Sequence, residues 1–252
     1  VSGSVAQSAI NRELGVSGLA QIASTVTALN HALSVQGSGS VSGLDAALLQ
    51  LQGSYAGAAG LGQSLISGQL GAVAAGIAGI DAMRAASSAA VSVQAGLDAG
   101  SLQDMVAGLQ VLSGTYAGAG GVVQGIIAGQ FGVVGAAGIS AMQAAAQSTV
   151  DALGAVSAGQ MAAALGTLAG VYADAGVALQ GLIASQLGLP VGSTVSDIQA
   201  VQGALQAAQG AYQASVDGSV SGMLASIVQL QSGYSVSGSA AQGMINGILG
   251  IS

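Results

Sequence analysis

Few side chains in this chain of 252 residues are capable of acid–base, nucleophilic or metal-binding chemistry. They comprise nine carboxylates, two arginines and one histidine, and the chain has no cysteine. Zinc sites are built from cysteine, histidine and carboxylate ligands, so this composition argues against one. A serine–histidine–aspartate triad would have to use His31, whose surroundings, TALNHALSV, contain no patterned acidic or hydroxyl partner. We therefore expect His31 to be structural and predict no catalytic residue, metal site or cofactor.

The carboxylates are scattered along the chain, and the sequence predicts structural roles for them. Asp45, Asp98 and Asp197 stand near expected helix starts, where a carboxylate caps free N–H groups and meets the positive end of the helix dipole. Asp81 and Arg84 are three residues apart and are expected to pair along one helix. A site built by a repeated sequence would recur in every repeat, but the remaining aspartates share no repeat position. We therefore predict that the chain is not an enzyme. These aspartates are Asp104, Asp151, Asp174 and Asp217.

Composition narrows the class of protein further. Charged residues make up 4% of the chain and hydrophobic residues 52%, with 43 glycines and a net charge of −7. Soluble domains carry about 25% charged residues, so this surface is unusually poor in charge. Two basic side chains cannot form the positive surface that nucleic acids require. Solubility in the cytosol normally rests on surface charge, and we therefore expect an extracellular or cell-envelope location, with the surface covered by an assembly.

The elements that position these residues form a tandem repeat. Four blocks align without gaps on a tyrosine, which we number column 0. Glutamine recurs at column +8, isoleucine at +11 and glycine at +16, while leucine or isoleucine recurs at −4 and −7. Biased composition alone does not place these residue types in fixed columns four times. The aligned tyrosines are Tyr55, Tyr116, Tyr172 and Tyr234, and the aligned glutamines are Gln63, Gln124, Gln180 and Gln242.

The spacers between the blocks also align, although less closely. The stretch from Leu19 to Leu44 matches the stretch from Ile198 to Met223, and both contain GSVSG just before the block. The two middle spacers keep an apolar pair in the same place, Ile80 with Met83 and Ile139 with Met142. The repeating unit is therefore a spacer, a turn and a block, about sixty residues in all.

The spacing of the apolar columns predicts helices. Columns −11, −7, −4, 0, +7 and +11 follow the intervals of three and four residues that place side chains on one helical stripe. The block is predicted as one continuous helix from column −11 to +16, about 42 Å long, ended by a left-handed glycine. With the spacer as a second helix, each unit is a helical hairpin. We predict an all-α fold of four tandem hairpins in an elongated bundle or solenoid-like array, with repeats at 1–71, 72–132, 133–188 and 189–252.

Four small-residue columns suggest a second face on each block. Columns −2, +9, +13 and +16 are glycine or serine in every repeat, opposite the apolar stripe, and Gly121, Gly125 and Gly129 follow one another at intervals of four residues in the second repeat. Glycine inside a helix costs about 0.5–1 kcal/mol relative to alanine, so a repeated column predicts a compensating contact. Close approach of another backbone, as in small-xxx-small helix pairs, would provide it. The alternative is that these glycines only reflect the biased composition.

The tyrosine and glutamine columns each allow two interpretations. The tyrosines either line a ligand groove or fill the core, with each hydroxyl reaching water or a carbonyl group. The glutamines either form a hydrogen-bond ladder between repeats or lie hydrated at the flank of the helix. We assign both columns, with the glycines above, to packing and assembly.

Sparse charge, unclustered polar residues and a flat second face together predict a non-enzymatic structural protein. We expect it to assemble with itself or with similar repeat chains, as a homo-oligomer or polymer, because exposed apolar area normally marks a contact site. A lipid-interacting or pore-forming helical protein is the alternative, since small-residue faces also suit packing in a bilayer. Long uncharged runs would allow membrane contact, but polar residues interrupt them and aromatic belts are lacking.

Overall fold

The computed structural model of this chain describes residues 2–72 and 76–251. All regular elements in these two ranges are helices, which confirms the all-α prediction. Val1, residues 73–75 and Ser252 belong to the predicted repeats but lie outside the described residues.

The helices follow one another in a fixed order of lengths. An N-terminal helix comes first. The same three helices then follow four times in succession: a spacer helix, a shorter helix that we call the medium helix, and a short helix of 11 residues. The first two groups are α1 (Ser2–Leu14), α2 (Leu19–Gln36), α3 (Val41–Tyr55), α4 (Gly60–Leu70), α5 (Ile77–Asp98), α6 (Leu102–Thr115) and α7 (Gly121–Phe131). The last two are α8 (Gly135–Leu153), α9 (Ala158–Val171), α10 (Val177–Leu187), α11 (Val195–Val216), α12 (Val220–Tyr234) and α13 (Ser239–Leu249).

The prediction of one continuous helix per block is wrong, because the helix breaks just after the tyrosine. In the first repeat α3 ends at Tyr55 and α4 begins at Gly60. In the second and third repeats the α-helix gives way to a single 3-10 turn that begins at the tyrosine, and the column +4 residues Gly120 and Gly176 have φ of 74° and 79°. In the first and fourth repeats the column +4 residues Ala59 and Gly238 have an extended backbone instead. Neither conformation can continue a right-handed α-helix, so the block becomes two helices. Each repeat therefore contains three helices rather than a hairpin.

The glycine predicted to end each block does end the short helix. All four column +16 glycines adopt the left-handed conformation, which leaves the helix at low cost only for a residue without Cβ. Their φ values are 63° at Gly71, 65° at Gly132, 67° at Gly188 and 65° at Gly250.

By its contacts the chain divides into two compact units. One contains Val1–Val93 with Gly108–Gln130, and the other contains Gln94–Ala107 with Phe131–Ser252. Within the first unit α2 packs on α3 and α4. Within the second unit α11 packs on α9, α12 and α13, and α8 packs on α9 and α10. In the second unit, a spacer helix thus contacts both its own block and the medium helix of the preceding repeat.

Candidate functional site

The tyrosine and glutamine columns meet at the break between the medium and the short helix. The Tyr116 hydroxyl donates to the main-chain oxygen of Gln124 at 3.1 Å, and Gln124 Nε2 donates to the main-chain oxygen of Tyr116 at 2.8 Å. We call this reciprocal pair across the break the corner. It recurs between Tyr55 and Gln63, at 3.2 and 3.0 Å, and between Tyr172 and Gln180, at 3.1 and 2.8 Å.

The fourth corner keeps one of the two bonds. Gln242 Nε2 donates to the main-chain oxygen of Tyr234 at 3.2 Å, as in the other repeats. The Tyr234 hydroxyl instead donates to Asn246 Oδ1 at 2.9 Å, one helical turn further along the short helix. The same hydroxyl position in the first repeat contacts Ser67 Oγ, also at column +12, at 2.9 Å.

The corner decides between the two interpretations of the tyrosines. The rings of Tyr55, Tyr116 and Tyr172 are buried, and each hydroxyl reaches a main-chain oxygen, so these side chains belong to the core. Burial raises the pKa of the Tyr116 hydroxyl above its usual value. Burial does the same for the pKa of Tyr172, with a further contribution from the negative charge of Asp197. Both phenols are therefore neutral hydrogen-bond donors at ordinary pH.

The glutamines follow neither of the two interpretations. Gln63, Gln124, Gln180 and Gln242 each bond within their own repeat, to the tyrosine main-chain oxygen at the helix break. The same oxygen also accepts from the main-chain N–H three residues later, so the amide adds a second bond that ties the short helix to the end of the medium helix. Column +8 is glutamine because its side chain spans back over the break to column 0.

A second recurring contact joins consecutive repeats, and we call it the repeat joint. It places the column +4 glycine against the column +15 main-chain oxygen at the end of the preceding short helix. A Cβ on Gly120 would lie 2.9 Å from the Leu70 oxygen, which is closer than real side chains allow. Gly176 meets the Phe131 oxygen and Gly238 meets the Leu187 oxygen in the same way. Glycine is required at column +4 because another backbone occupies the space of a side chain.

The first repeat departs from this pattern at two positions. Its column +4 residue is Ala59, whose N–H donates to Thr25 Oγ1 of α2 at 2.9 Å. Thr25 occupies a spacer position that is alanine in the other repeats: Ala86, Ala145 and Ala204. In the first repeat a threonine side chain therefore accepts from the column +4 N–H, at the place where the other repeats contact the preceding repeat.

Comparison of the chain with protein-family models, with curated proteins and with solved structures finds no match. Among the described residues, no group of three or more histidine, cysteine or acidic side chains is placed to hold a metal ion. In the same ranges no single helix is long and apolar enough to cross a membrane, although the successive helices Gly121–Phe131 and Gly135–Leu153 together meet the length and composition criteria.

The glycines of the second face are open at columns −2, +9 and +13, whereas Gly71 and Gly188 of column +16 lie against the main-chain nitrogens of Gly121 and Ser239. On α7, Gly121, Gly125 and Gly129 have no atom within 4 Å of the place where a Cβ would stand. The expected close helix contact is therefore not made within the described residues, and the face is open on the short helices. All other glycines of columns −2, +9 and +13 are equally open: Gly53, Gly68, Gly114, Gly170, Gly181, Gly243 and Gly247.

Two of the three predicted aspartate caps are wrong. Asp45 lies five residues after Ser40, which is the residue that caps α3. Asp98 is the last residue of α5 and accepts a hydrogen bond from Gln94. Asp197 does cap α11, in a capping box with Thr194, and the Thr194 main-chain N–H holds the pKa of this carboxyl below its usual value.

The true caps form a serine column that the sequence analysis missed. Column −15 is serine in all four repeats, and each Oγ accepts from the main-chain N–H three residues later, which stabilises a helix start by about 1 kcal/mol. Its place just before the apolar columns was the available signal. The serines are Ser40, Ser101, Ser157 and Ser219.

The remaining polar residues singled out from the sequence take part in structural hydrogen bonds. His31 Nδ1 lies 3.0 Å from Ser54 Oγ, which links α2 to α3. Asp81 and Arg84 bond to Gln52 on α3 rather than to each other: the Gln52 amide nitrogen donates to Asp81, and Arg84 Nη1 donates to the Gln52 amide oxygen. The geometry thus brings no catalytic group together at these positions.

Proposed function

We propose that this chain is a non-enzymatic structural protein that assembles with copies of itself through its apolar and small-residue helix faces. The observation that carries the proposal is the excess of exposed large hydrophobic side chains over charged side chains. Within the described residues, 22 large hydrophobic side chains are exposed, whereas the whole sequence has 11 charged side chains, nine acidic and two basic. Monomers rarely leave so much apolar surface in water, and such surface is normally a contact site.

We also infer that the four repeats stack in one solenoid-like array. The repeat joint supports this, because the same glycine-to-oxygen contact is made three times between consecutive repeats. The packing of α11 on both α9 and α12 supports it as well, since this spacer helix lies between the medium helices of two consecutive repeats. In such arrays each repeat contacts only its neighbours, and stability is approximately a sum of repeat and neighbour terms.

The open glycine columns support lateral contact between copies. Each glycine on α7 costs helix stability and receives no compensating contact within the described chain. A flat helix face without Cβ atoms admits another backbone closely, as in small-xxx-small pairs. A second copy meeting this face would supply the contact that the single chain lacks.

An extracellular or cell-envelope location follows from the same composition. The chain has no lysine, two arginines and 4% charged residues, which gives little of the surface charge that keeps cytosolic proteins apart. Self-association is tolerated where the protein is deposited in a layer or fibre.

Sedimentation velocity and light scattering on the purified chain, over a wide range of concentration, test the proposal. We expect reversible growth in mass with concentration that persists in moderate salt, because apolar contacts are not screened. A mass that stays that of one chain at every concentration would refute it. Flotation with neutral lipid vesicles and dye release provide the second arm: association only in the presence of vesicles would instead identify a lipid-binding or pore-forming protein.

A further inference from the structure

The contact of α3 with α5, which joins the first repeat to the second, contains a cluster of polar side chains. Gln52 stands at column −3 of α3 and uses both atoms of its amide. The nitrogen donates to Asp81 Oδ1, and the oxygen accepts from Arg84 Nη1 at 2.6 Å. Each bond involves a charged group, and such bonds are stronger than those between neutral groups. We call Gln52, Asp81 and Arg84 the polar cluster; all three belong to the first compact unit.

The same contact includes a buried hydroxyl. Ser87 of α5 is fully buried, and its Oγ donates to the main-chain oxygen of Val41 on α3 at 3.4 Å. The aligned residues in the third and fourth spacers are Ala146 and Leu205, whose side chains have no donor. At this position α5 therefore differs from both of these spacers in polarity and in volume.

The contact of α9 with α11, which joins the third repeat to the fourth, has neutral residues at the corresponding positions. Gln202 aligns with Arg84 and lies over Gly166 of α9, with its amide nitrogen 2.7 Å from the place where a Cβ on Gly166 would stand. This spacer position therefore faces the preceding medium helix in both contacts. The residues aligned with Gln52, Asp81 and Arg84 are Ala169, Gln199 and Gln202.

The rest of the sequence has no second copy of the polar cluster. The positions of Asp81 and Arg84 are occupied by Ala20 and Ala23 in the first spacer and by Ser140 and Gln143 in the third. At column −3, α6 has serine and α9 has alanine, while α12 has glutamine. Gln52 therefore finds a charged pair only on α5, and neither α6 nor α9 offers α5 the amide. These three column −3 residues are Ser113, Ala169 and Gln231.

Similar repeats can pack in more than one order. The apolar columns −4 and −7 are shared by all four blocks, so the apolar contacts alone do not distinguish one medium helix from another. Misassembly between similar units is a characteristic failure of repeat proteins. A preference for one partner over another requires a contact that the wrong partner cannot satisfy.

We propose that the polar cluster fixes the pairing of the first repeat with the second and disfavours pairing out of order, both within one chain and between copies. This inference rests on the proposed stacking of the repeats and does not depend on self-assembly. A single polar residue that sets the register of a coiled coil acts in the same way.

The discrimination follows from the bonds that a wrong pairing loses. If α5 packs on α9, the half-buried Arg84 loses the Gln52 oxygen and Asp81 loses the Gln52 nitrogen. If α3 packs on α11, Gln52 meets neutral amides only. Bonds to charged groups are strong, but Asp81 is exposed, so each lost bond should disfavour the wrong order by about threefold to tenfold.

Three variants test whether the cluster specifies order. The neutral variant carries Gln52→Ala, Asp81→Gln and Arg84→Gln, which are the residues of the contact between the third and fourth repeats. The duplicate variant carries Ala169→Gln, Gln199→Asp and Gln202→Arg, which add a second cluster and leave the first intact. The exchanged variant carries all six substitutions and is the matched control, because it again has one cluster, in the other contact.

Each protein is unfolded in urea and refolded by dilution over a range of concentrations. Pairing out of order between copies gives oligomers that persist after further dilution, because their release requires unfolding, whereas assembly through surfaces reverses. Size-exclusion chromatography with light scattering measures the persistent fraction. We expect this fraction to rise about threefold to tenfold in the neutral and duplicate variants and to return to the parent value in the exchanged variant.

The duplicate variant separates order from stability, since it keeps every original bond and adds others. If the neutral and duplicate variants refold with the persistent fraction of the parent, the inference is overturned. If the neutral variant misassembles but the duplicate variant does not, the cluster acts through stability alone and the inference is likewise overturned. Self-assembly is measured on the purified parent without unfolding, so its failure, a single-chain mass at every concentration, is distinguishable from both results.

Discussion

Replacing Gln124 by glutamate tests the corner with almost no change in shape. Gln124 Nε2 now donates to the main-chain oxygens of Tyr116 and Ala117, at 2.8 and 3.3 Å. A carboxylate cannot donate, and its negative oxygen would face these two carbonyl oxygens in a half-buried site. The lost bond costs about 1 kcal/mol and the unfavourable approach about 1–2 kcal/mol, so the free energy of unfolding should fall by about 2–3 kcal/mol at neutral pH.

The loss should depend on pH in a definite direction. The surroundings favour the protonated acid, so the pKa of the introduced glutamate is raised in the folded chain above its unfolded value of about 4.3. Below that value both states are protonated, and the acid can donate to the Tyr116 oxygen. The penalty should therefore be small in acid, appear as the pH rises through the unfolded pKa and be complete above the folded pKa.

Urea unfolding followed by circular dichroism, at pH values on either side of this range, measures the effect. Gln110→Glu is the matched control, because Gln110 is exposed on α6 in the same repeat and lies outside the corner. The control corrects for the general effect of adding one negative charge to an acidic chain. If Gln124→Glu and Gln110→Glu have the same stability at neutral pH, the reciprocal bonds do not stabilise the corner and the reasoning is refuted.

Three further predictions address other parts of the structure. Burial raises the pKa of Tyr116, so the stability that its neutral hydroxyl contributes to the folded chain is lost as the pH rises above the ordinary tyrosine value of about 10. In urea titrations, Tyr116→Phe should reduce this alkaline loss and lower the free energy of unfolding at neutral pH by about 0.5–1.5 kcal/mol. The pKa of Asp197 is lowered, so the stability it provides is present above about pH 4 and lost as the pH falls; Asp197→Asn should lower the melting temperature at neutral pH but scarcely at low pH. Gly176 has φ of 79° and faces a neighbouring main-chain oxygen, so Gly176→Ala should lower the free energy of unfolding by more than about 1–2 kcal/mol. Gly125 faces open space, so Gly125→Ala should raise the stability of the monomer by about 0.5–1 kcal/mol. Calorimetry that ranks the two variants the other way would contradict the assignment of the two glycines.

The periodic columns made the all-α class predictable, and the terminal glycines were predictable for a related reason. Leucine at −4 and −7 and glycine at +16 reflect local rules of helix packing and helix ending, which depend on few residues. The break after Tyr55 was not predictable from spacing, because the columns 0 and +7 keep a helical interval across the turn. Only the non-helical backbone at column +4, extended at Ala59 and left-handed at Gly120 and Gly176, reveals that the interval spans two helices.

The roles of glutamine and glycine depended on contacts that one sequence does not contain. Gln180 could equally have faced a neighbouring repeat, and the choice is made by the Tyr172 main-chain oxygen, which only the break of the helix brings within reach of the amide. Gly125 and Gly176 look alike in the sequence, yet one faces open space and the other a backbone oxygen. A small residue allows another surface to come close, but the sequence does not indicate which surface does so.

The corner has a consequence for how freely such a repeat can diverge or be redesigned. In the first three repeats both of its bonds end on main-chain oxygens, which every amino acid carries. The bend therefore depends on tyrosine at column 0 and glutamine at column +8, each of which donates from its side chain to the main-chain oxygen of the other. Outward positions can then change without loosening the bend. The same pair, eight residues apart around a small-residue turn, could be grafted into an unrelated helix to fold it into two.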